Sequence, residues 1–210
     1  MEYIAHREEE REQLLLDHLT GTAEKAKKFA EVFGKGDWGY CCGMLHDIGK
    51  YSRDFQAYLA SGGRRARVDH STAGMQAFWG QHNIPAAFCV GGHHAGLPNL
   101  GRPADGESGN TLYAKKNRKN IPDYQAYMLE NPRVPVADIP WIEKSLLTAE
   151  EKGFAWMFYI RMLYSCLVDA DYLDTESFMD QGKSFDRVGY TSLSELKRRF
   201  DCFMERKQRD

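Results

Sequence analysis

Gly43-Met44-Leu45-His46-Asp47-Ile48-Gly49-Lys50 sets an imidazole and a carboxylate side by side within an apolar run. Buried polar groups are costly unless something satisfies them, and a divalent metal does so, because neutral imidazole and ionised carboxylate are both good ligands for one. Three other patches have the same character: Asp17-His18, Asp69-His70-Ser71 and Gly92-His93-His94. A late Asp169-Ala170-Asp171 lies in an otherwise apolar stretch. Five of the seven histidines fall in these patches, each beside an apolar run, whereas His6 and His82 have no such context and are left out of the ligand set. Taken singly, each histidine is explained as well by a satisfied core or surface position; taken jointly, they point to a metal centre.

Working outward, apolar residues at Leu15, Leu16, Leu19, Ala23, Ala26, Phe29, Ala30 and Phe33 recur at helical spacing, which predicts a helix over 9–33 ended by Gly34-Lys35-Gly36-Asp37. A second helix is expected from Asp37 or Trp38 to Ala60 with His46-Asp47 near its middle, Gly49 marking a kink or close packing. A third runs from Asp69 to Gln81, and Pro85 opens a short apolar segment that delivers His93-His94. Neighbours on a helix point about 100° apart, so both histidines reach one centre only from a helix end or a loop. Gly91-Gly92 and Gly96-Leu97-Pro98 supply that frame.

Residues 97–145 are rich in glycine and proline and carry the basic cluster Lys115-Lys116-Asn117-Arg118-Lys119; they are read as a partly mobile insertion with a short helix near Asp123–Glu130. The helical pattern resumes at Leu146–Lys152 and Phe154–Leu173, and Ser192–Arg206 is amphipathic with a Ser-x-x-Glu start. No β-rich alternation appears, so the expected fold class is all-α: a helical bundle with a loop-rich insertion at about 97–145. The domain plan is one catalytic domain over 1–190 and a helix or connector over 191–210.

Asp171 continues the stripe Trp156, Ile160, Leu163, Leu167, and Asp169 the stripe Phe158, Met162, Cys166. Both stripes are apolar, so spacing leaves either aspartate open as the inward one, the other ending the helix or orienting a ligand.

A net charge of −2 advertises no global basic field, so a polyanion would have to meet local patches or the metals themselves. Five cysteines without CxxC spacing argue against a disulfide framework or a cysteine zinc site. The acidic amino terminus is not a signal peptide, and the longest apolar run is too short to span a bilayer, so a cytoplasmic location is expected.

The stretches Tyr3-Ile4-Ala5-His6, Asp17-His18-Leu19, Leu45-His46-Asp47-Ile48-Gly49-Lys50, Asp69-His70-Ser71-Thr72-Ala73-Gly74, Gly92-His93-His94-Ala95-Gly96-Leu97 and Leu167-Val168-Asp169-Ala170-Asp171 resemble the HD phosphohydrolase superfamily. More closely, they resemble the HD nuclease domain of the CRISPR-associated type I effector helicase-nuclease. The resemblance implies an HD-domain bundle in which His18, His46, Asp47 and the late aspartate hold one metal. Asp47 then bridges to a second, completed by His70, His93 and His94. An Ala-Asp dipeptide carries the last ligand in the superfamily, which favours Asp171. It further implies a hydrolase that cleaves single-stranded DNA, as an endo- or exonuclease, in antiviral defence. Its partners would be a helicase, in cis or in trans, and an RNA-guided type I surveillance complex. The chain lacks a Gly-x-x-x-x-Gly-Lys-Ser/Thr pattern, so it is expected to be an excised amino-terminal domain or to work with a separate helicase.

Two divalent ions clamping a phosphodiester would activate the attacking water and stabilise the leaving oxygen. The mixed nitrogen and oxygen ligands suit Mn, Co, Ni or Fe, with Mg or Zn as alternatives. Asp47 and Lys50 are the expected catalytic residues, Lys50 contacting the scissile phosphate or balancing charge unless it is simply a surface lysine. Strand binding is assigned to Arg64, Arg65 and Arg67 with Lys115, Lys116, Arg118 and Lys119, and base stacking to Tyr51, Phe55, Tyr58 and Tyr113. Rival readings are an HD-type nucleotide or cyclic-dinucleotide phosphohydrolase, and a metal-stabilised scaffold that cuts nothing.

Overall fold

The structure, a computed structural model, describes residues 2–8, 10–66, 68–130, 134, 146–187 and 191–209. Arg67 and most of the later insertion, 131–133 and 135–145, lie outside the described residues.

The chain opens with a hairpin, not with the expected helix from residue 9. Strand β1 (Ile4–Glu8) pairs antiparallel with β2 (Arg11–Leu14), with His6 opposite Gln13. Glu and Gln favour helix, but tertiary bonds override that preference here. The Leu15 N–H donates to Tyr3 O at 2.7 Å. The Gln56 amide accepts from Ile4 N at 3.1 Å and donates to Ile4 O at 3.0 Å.

Helix α1 (Leu15–Glu31) turns Leu15, Leu19, Ala23, Ala26 and Ala30 into the core, with His18 and Thr22 buried on the same face. Helix α2 (Gly36–Leu45) lies directly against it, and a Cβ on Gly43 would overlap the Ala23 backbone.

The long second helix expected from the pattern is broken at the His-Asp pair. α2 stops at Leu45, Asp47 leaves helical geometry (φ −117°, ψ 19°), and a 3-10 turn follows over Ile48–Tyr51. Ser52 then caps α3 (Arg53–Ala60), its hydroxyl accepting from Phe55 N. Gly49 accounts for the break by close packing, because a Cβ there would run into the His70 backbone.

Helices α4 (Ser71–Gly80) and α5 (Ile84–Gly92) pack on α2, α5 being started by the Asn83 side chain and Pro85. The described insertion is docked, contrary to its reading as a loose loop. It contains α6 (Leu112–Asn117) and α7 (Gln125–Leu129), and Leu112, Ala114 and Tyr127 are buried. The Gln76 amide donates to the carbonyls of Lys115, Lys116 and Arg118 at 2.9–3.2 Å. Burying each large apolar side chain contributes about 1.5–3 kcal/mol, enough to anchor a short helix.

Helix α8 (Ala149–Met179) begins three residues later than the Leu146 start read from the pattern. A reciprocal cap sets that start: Thr148 Oγ1 accepts from Glu151 N, and the Glu151 carboxylate accepts from Thr148 N. Its buried face is Tyr159, Leu163, Cys166, Leu167, Ala170 and Asp174.

The chain divides into two compact units, Met1–Thr175 and Glu176–Asp210. The second contains the last residues of α8, α9 (Gln181–Asp186) and α10 (Leu193–Arg209). Inside it the Glu176 carboxylate takes Arg187 and, at 3.1 Å, Lys183. Only half of the expected capping box forms: Ser192 Oγ accepts from Glu195 N, while the Glu195 carboxylate turns to Arg198 and Arg199. Among the described residues no helix is long and apolar enough to cross a membrane.

Candidate metal centre

Asp47, fully buried, is the hub of the first unit. Its Oδ2 lies 3.6 Å from His18 Nε2 and 3.4 Å from His46 Nε2. Its Oδ1 lies 3.2 Å from His93 Nε2, 3.5 Å from His70 Nε2 and 3.8 Å from His94 Nε2. Asp171 Oδ1 closes the first group, 3.4 Å from His18 Nε2 and 3.5 Å from His46 Nε2. In the second group, the Nε2 atoms of His70 and His94 face each other at 2.6 Å. Two clusters of donor atoms, each within 4.8 Å, therefore share one carboxylate.

Partners behind the rings aim them. His46 Nδ1 donates to Gly43 O at 2.7 Å, His93 Nδ1 to Val90 O at 2.7 Å and His70 Nδ1 to Val68 O at 3.1 Å. His46 and His93 cap the C-terminal ends of α2 and α5, so each ring reaches the carbonyl three residues back. His18 donates instead to a carboxylate, Asp174 Oδ2, at 2.9 Å. With Nδ1 occupied in this way, Nε2 of each ring is left facing the centre, as ligand histidines require.

Three atoms test whether a cation belongs here. His18 Nε2, His46 Nε2 and Asp47 Oδ2 are buried without a hydrogen-bond partner. An unmatched buried polar atom costs about 1–3 kcal/mol, and these three converge on one spot. A divalent ion accepting their lone pairs removes that penalty, so the residues fit one.

The two clusters differ in charge. Burial lowers the His18 pKa, yet hydrogen bonds to Asp171, Asp174 and Asp47 prevail and raise it to about 9. Burial also opposes protonation of His46, but the charges of Asp47 and Asp171 raise it to about 10. Burial works to raise both carboxylates, which are nonetheless held well below their usual range, Asp47 chiefly by Lys50 and His46, Asp171 chiefly by His46 and His18. In the second cluster burial and the neighbouring His93 push His94 down to about 3, and burial lowers His70.

All seven expected metal ligands meet here. Asp171 is the inward aspartate and Asp169 is exposed; of the stripe that Asp169 follows, Phe158 and Met162 face outward and only Cys166 is buried. Lys50 is not a surface residue: it is buried, and its Nζ stands 2.7 Å from Asp47 Oδ2, paired by charge without hydrogen-bond alignment.

The expected strand-binding residues scatter. Arg64, Arg65, Lys116 and Lys119 are exposed. Lys115 donates to Gly91 O at 2.6 Å, and Arg118 pairs with Asp69, which itself accepts from Thr72 at the start of α4. Tyr51 and Phe55 are core residues, Tyr51 bonded to Glu130 and Phe55 edge-on to His70, so neither offers a free face for a base.

Two residues near the centre were not anticipated. Asp174 is one turn beyond Asp171 on the buried face of α8, a spacing that could have flagged it. It also takes Lys25 at 2.7 Å and Gln13 at 2.9 Å. Gly21, one turn after His18, leaves room for it, since a Cβ there would strike the Asp174 carboxylate. His6, set aside for want of context, stands edge-on to His18 with ring centroids 4.8 Å apart.

Residues 5–149, more than half of the chain, match the family model described as Cas3, HD domain. The chain belongs to this family. Its members are CRISPR-associated, metal-dependent nucleases, hydrolases acting on nucleic acid in a type I setting. His18, His46, Asp47, His70, His93 and His94 lie within the matched residues, whereas Asp171 and Asp174 lie beyond them. No curated protein matches the chain.

Proposed function

We propose that this domain cleaves single-stranded DNA at a two-metal centre during CRISPR interference, working with a helicase and an RNA-guided type I complex. The observation that carries the reading is Asp47, a buried carboxylate whose two oxygens face two separate groups of ligands. His18, His46, Asp47 and Asp171 would hold one divalent ion, and Asp47, His70, His93 and His94 the other. When bound, such ions supply Lewis-acid activation of water and of the phosphodiester. Their mixed nitrogen and oxygen donors favour Mn, Co, Ni or Fe over Mg, with Zn also compatible.

The chain's own residues fix the direction of approach. Asp171 and His94 are the least buried ligands, their side chains 18% and 36% exposed against 10% or less for the others. An approach past Asp171 or His94 meets the least protein, so the scissile phosphate would enter beside these ligands rather than past the carbonyl-anchored rings. Lys50, held at Asp47, balances the carboxylate charge from within. Lys115 and Arg118 are half-buried against Gly91 O and Asp69, so the exposed Arg64, Arg65, Lys116 and Lys119 are the better cations for the strand, Lys119 on leaving Glu107 at 3.8 Å. Helix α10 would serve as the connector toward the helicase part.

A cleavage assay on circular single-stranded DNA, run across Mn, Co, Ni, Fe, Mg and Zn, tests the reading. Metal-dependent degradation without hydrolysis of free nucleotides is expected. Hydrolysis of free or cyclic nucleotides with the circle left intact would replace it with a nucleotide phosphohydrolase.

A further inference from the structure

Lys50 poses a problem for any ion in the first cluster. Its ammonium lies 2.7 Å from Asp47 Oδ2, the oxygen that also faces His18 and His46. A divalent cation on that oxygen and an ammonium at the same oxygen repel each other strongly. Lys50 is buried, packed over the Phe55 ring at 5.5 Å, so bulk water is no ready refuge for its charge. A nearby acceptor is needed.

His6 is placed to be that acceptor. Its Nε2 is 3.5 Å from Lys50 Nζ and 3.4 Å from Thr175 Oγ1. An ammonium can only donate, so the single lone pair of Nε2 receives that contact, with the Thr175 hydroxyl beside it. Strand β1 carries His6, and the two hydrogen bonds from Gln56 to Ile4 secure that strand two residues away. The unexpected hairpin thus delivers a lone pair to the lysine ammonium inside the site.

We propose that His6 is a positioning residue that takes the Lys50 ammonium from Asp47 Oδ2 when a divalent ion fills the His18, His46, Asp47 and Asp171 cluster. The inference rests on the two-metal reading above. The second cluster uses the other oxygen of Asp47 and is independent of this exchange.

A metal-binding cycle on the full chain tests it, with Mn2+ alone as the calorimetric titrant and circular dichroism and melting curves to verify folding. The variants are His6→Leu, which keeps bulk against His18 and lacks the acceptor, His6→Gln, which keeps an acceptor oxygen, and Lys50→Met. His6→Leu should weaken one of the two binding steps by about tenfold, the lower end of what orienting partners of metal ligands contribute. His6→Gln should recover most of the loss. In the Lys50→Met background, His6→Leu should change neither step, since no ammonium remains to be moved. An equal loss with and without Lys50 would overturn the inference and make the His18 ring contact the role of His6, and no loss in either background would overturn it as well. If the unaltered chain binds no divalent ion, the two-metal reading itself fails.

Discussion

The two halves of the centre share a carboxylate but are built on opposite electrostatic plans. In the His18, His46 and Asp171 half the imidazoles are sealed from solvent and only Asp171 reaches it, and carboxylates hold protons on those imidazoles up to about pH 9 and 10. The His70, His93 and His94 half is braced by backbone carbonyls and opens outward, with His94 down at about 3. In the first half an arriving cation must displace protons; in the second, burial already favours the neutral rings of His70 and His94. Binding of a metal to the first half therefore carries the steeper dependence on pH.

Asp47→Ala should have the largest consequence, because it removes the oxygen on which both halves depend. Cleavage should fall by more than about a hundredfold, beyond what outer partners alone contribute, and both metal-binding steps should be lost in calorimetry. A variant retaining one tight step would show that the halves do not need a common ligand.

His18→Ala and His94→Ala compare the halves directly. Removing the fully buried His18 leaves Asp174 and Asp171 facing an empty space, and should cost the metal-free protein about 3–5 kcal/mol in denaturant unfolding. His94 is partly exposed, and its removal should cost less than about 1 kcal/mol. Similar losses would erase the distinction between a sealed and an open half.

Asp174→Asn sharpens the comparison further. It preserves shape but withdraws the negative charge behind His18, and should weaken the first metal by about 10–100-fold without touching the second. Mn2+ titration separates the two steps.

The gentlest test is the melting temperature of the metal-free protein against pH. His6 and His94 are pushed to about 3, from an ordinary 6.5, so they favour the folded state above 6.5 and that contribution drains away as pH falls. His18 and His46, raised to about 9 and 10, contribute fully below 6.5, and lose it as pH climbs through those values. The melting temperature should peak near pH 6.5, and saturating metal should remove the alkaline decline. A curve rising steadily to pH 10 would contradict the assignment.

The candidate ligands could be read from the sequence because most of them interrupt or adjoin apolar runs, where burial makes a polar group conspicuous. What lay behind them could not. The spacing of Asp174 from Asp171 places it on the same helix face, but its place behind His18 shows only once Gly21 is seen to make room for it. His6 sits in a charged segment whose composition favours helix, and only the distant Gln56 reveals that the segment is a strand. The break after Leu45 was equally hidden: Gly49 hinted at it, but the reason is the His70 backbone, a neighbour twenty residues along the chain. Lys115 and Arg118 read as strand-binding cations because nothing local points to Gly91 or Asp69. Packing partners remote in sequence decide all of these.

That α2 and α5 each end on a histidine of the candidate centre has an electrical consequence. The carbonyl end of a helix carries a partial negative charge, equivalent to about half an electron. Two such ends converge on the centre, and at α4, which starts there, the Asp69 carboxylate covers the opposing positive end. The backbone itself therefore draws cations inward, an attraction that stripping away any single side chain would leave standing.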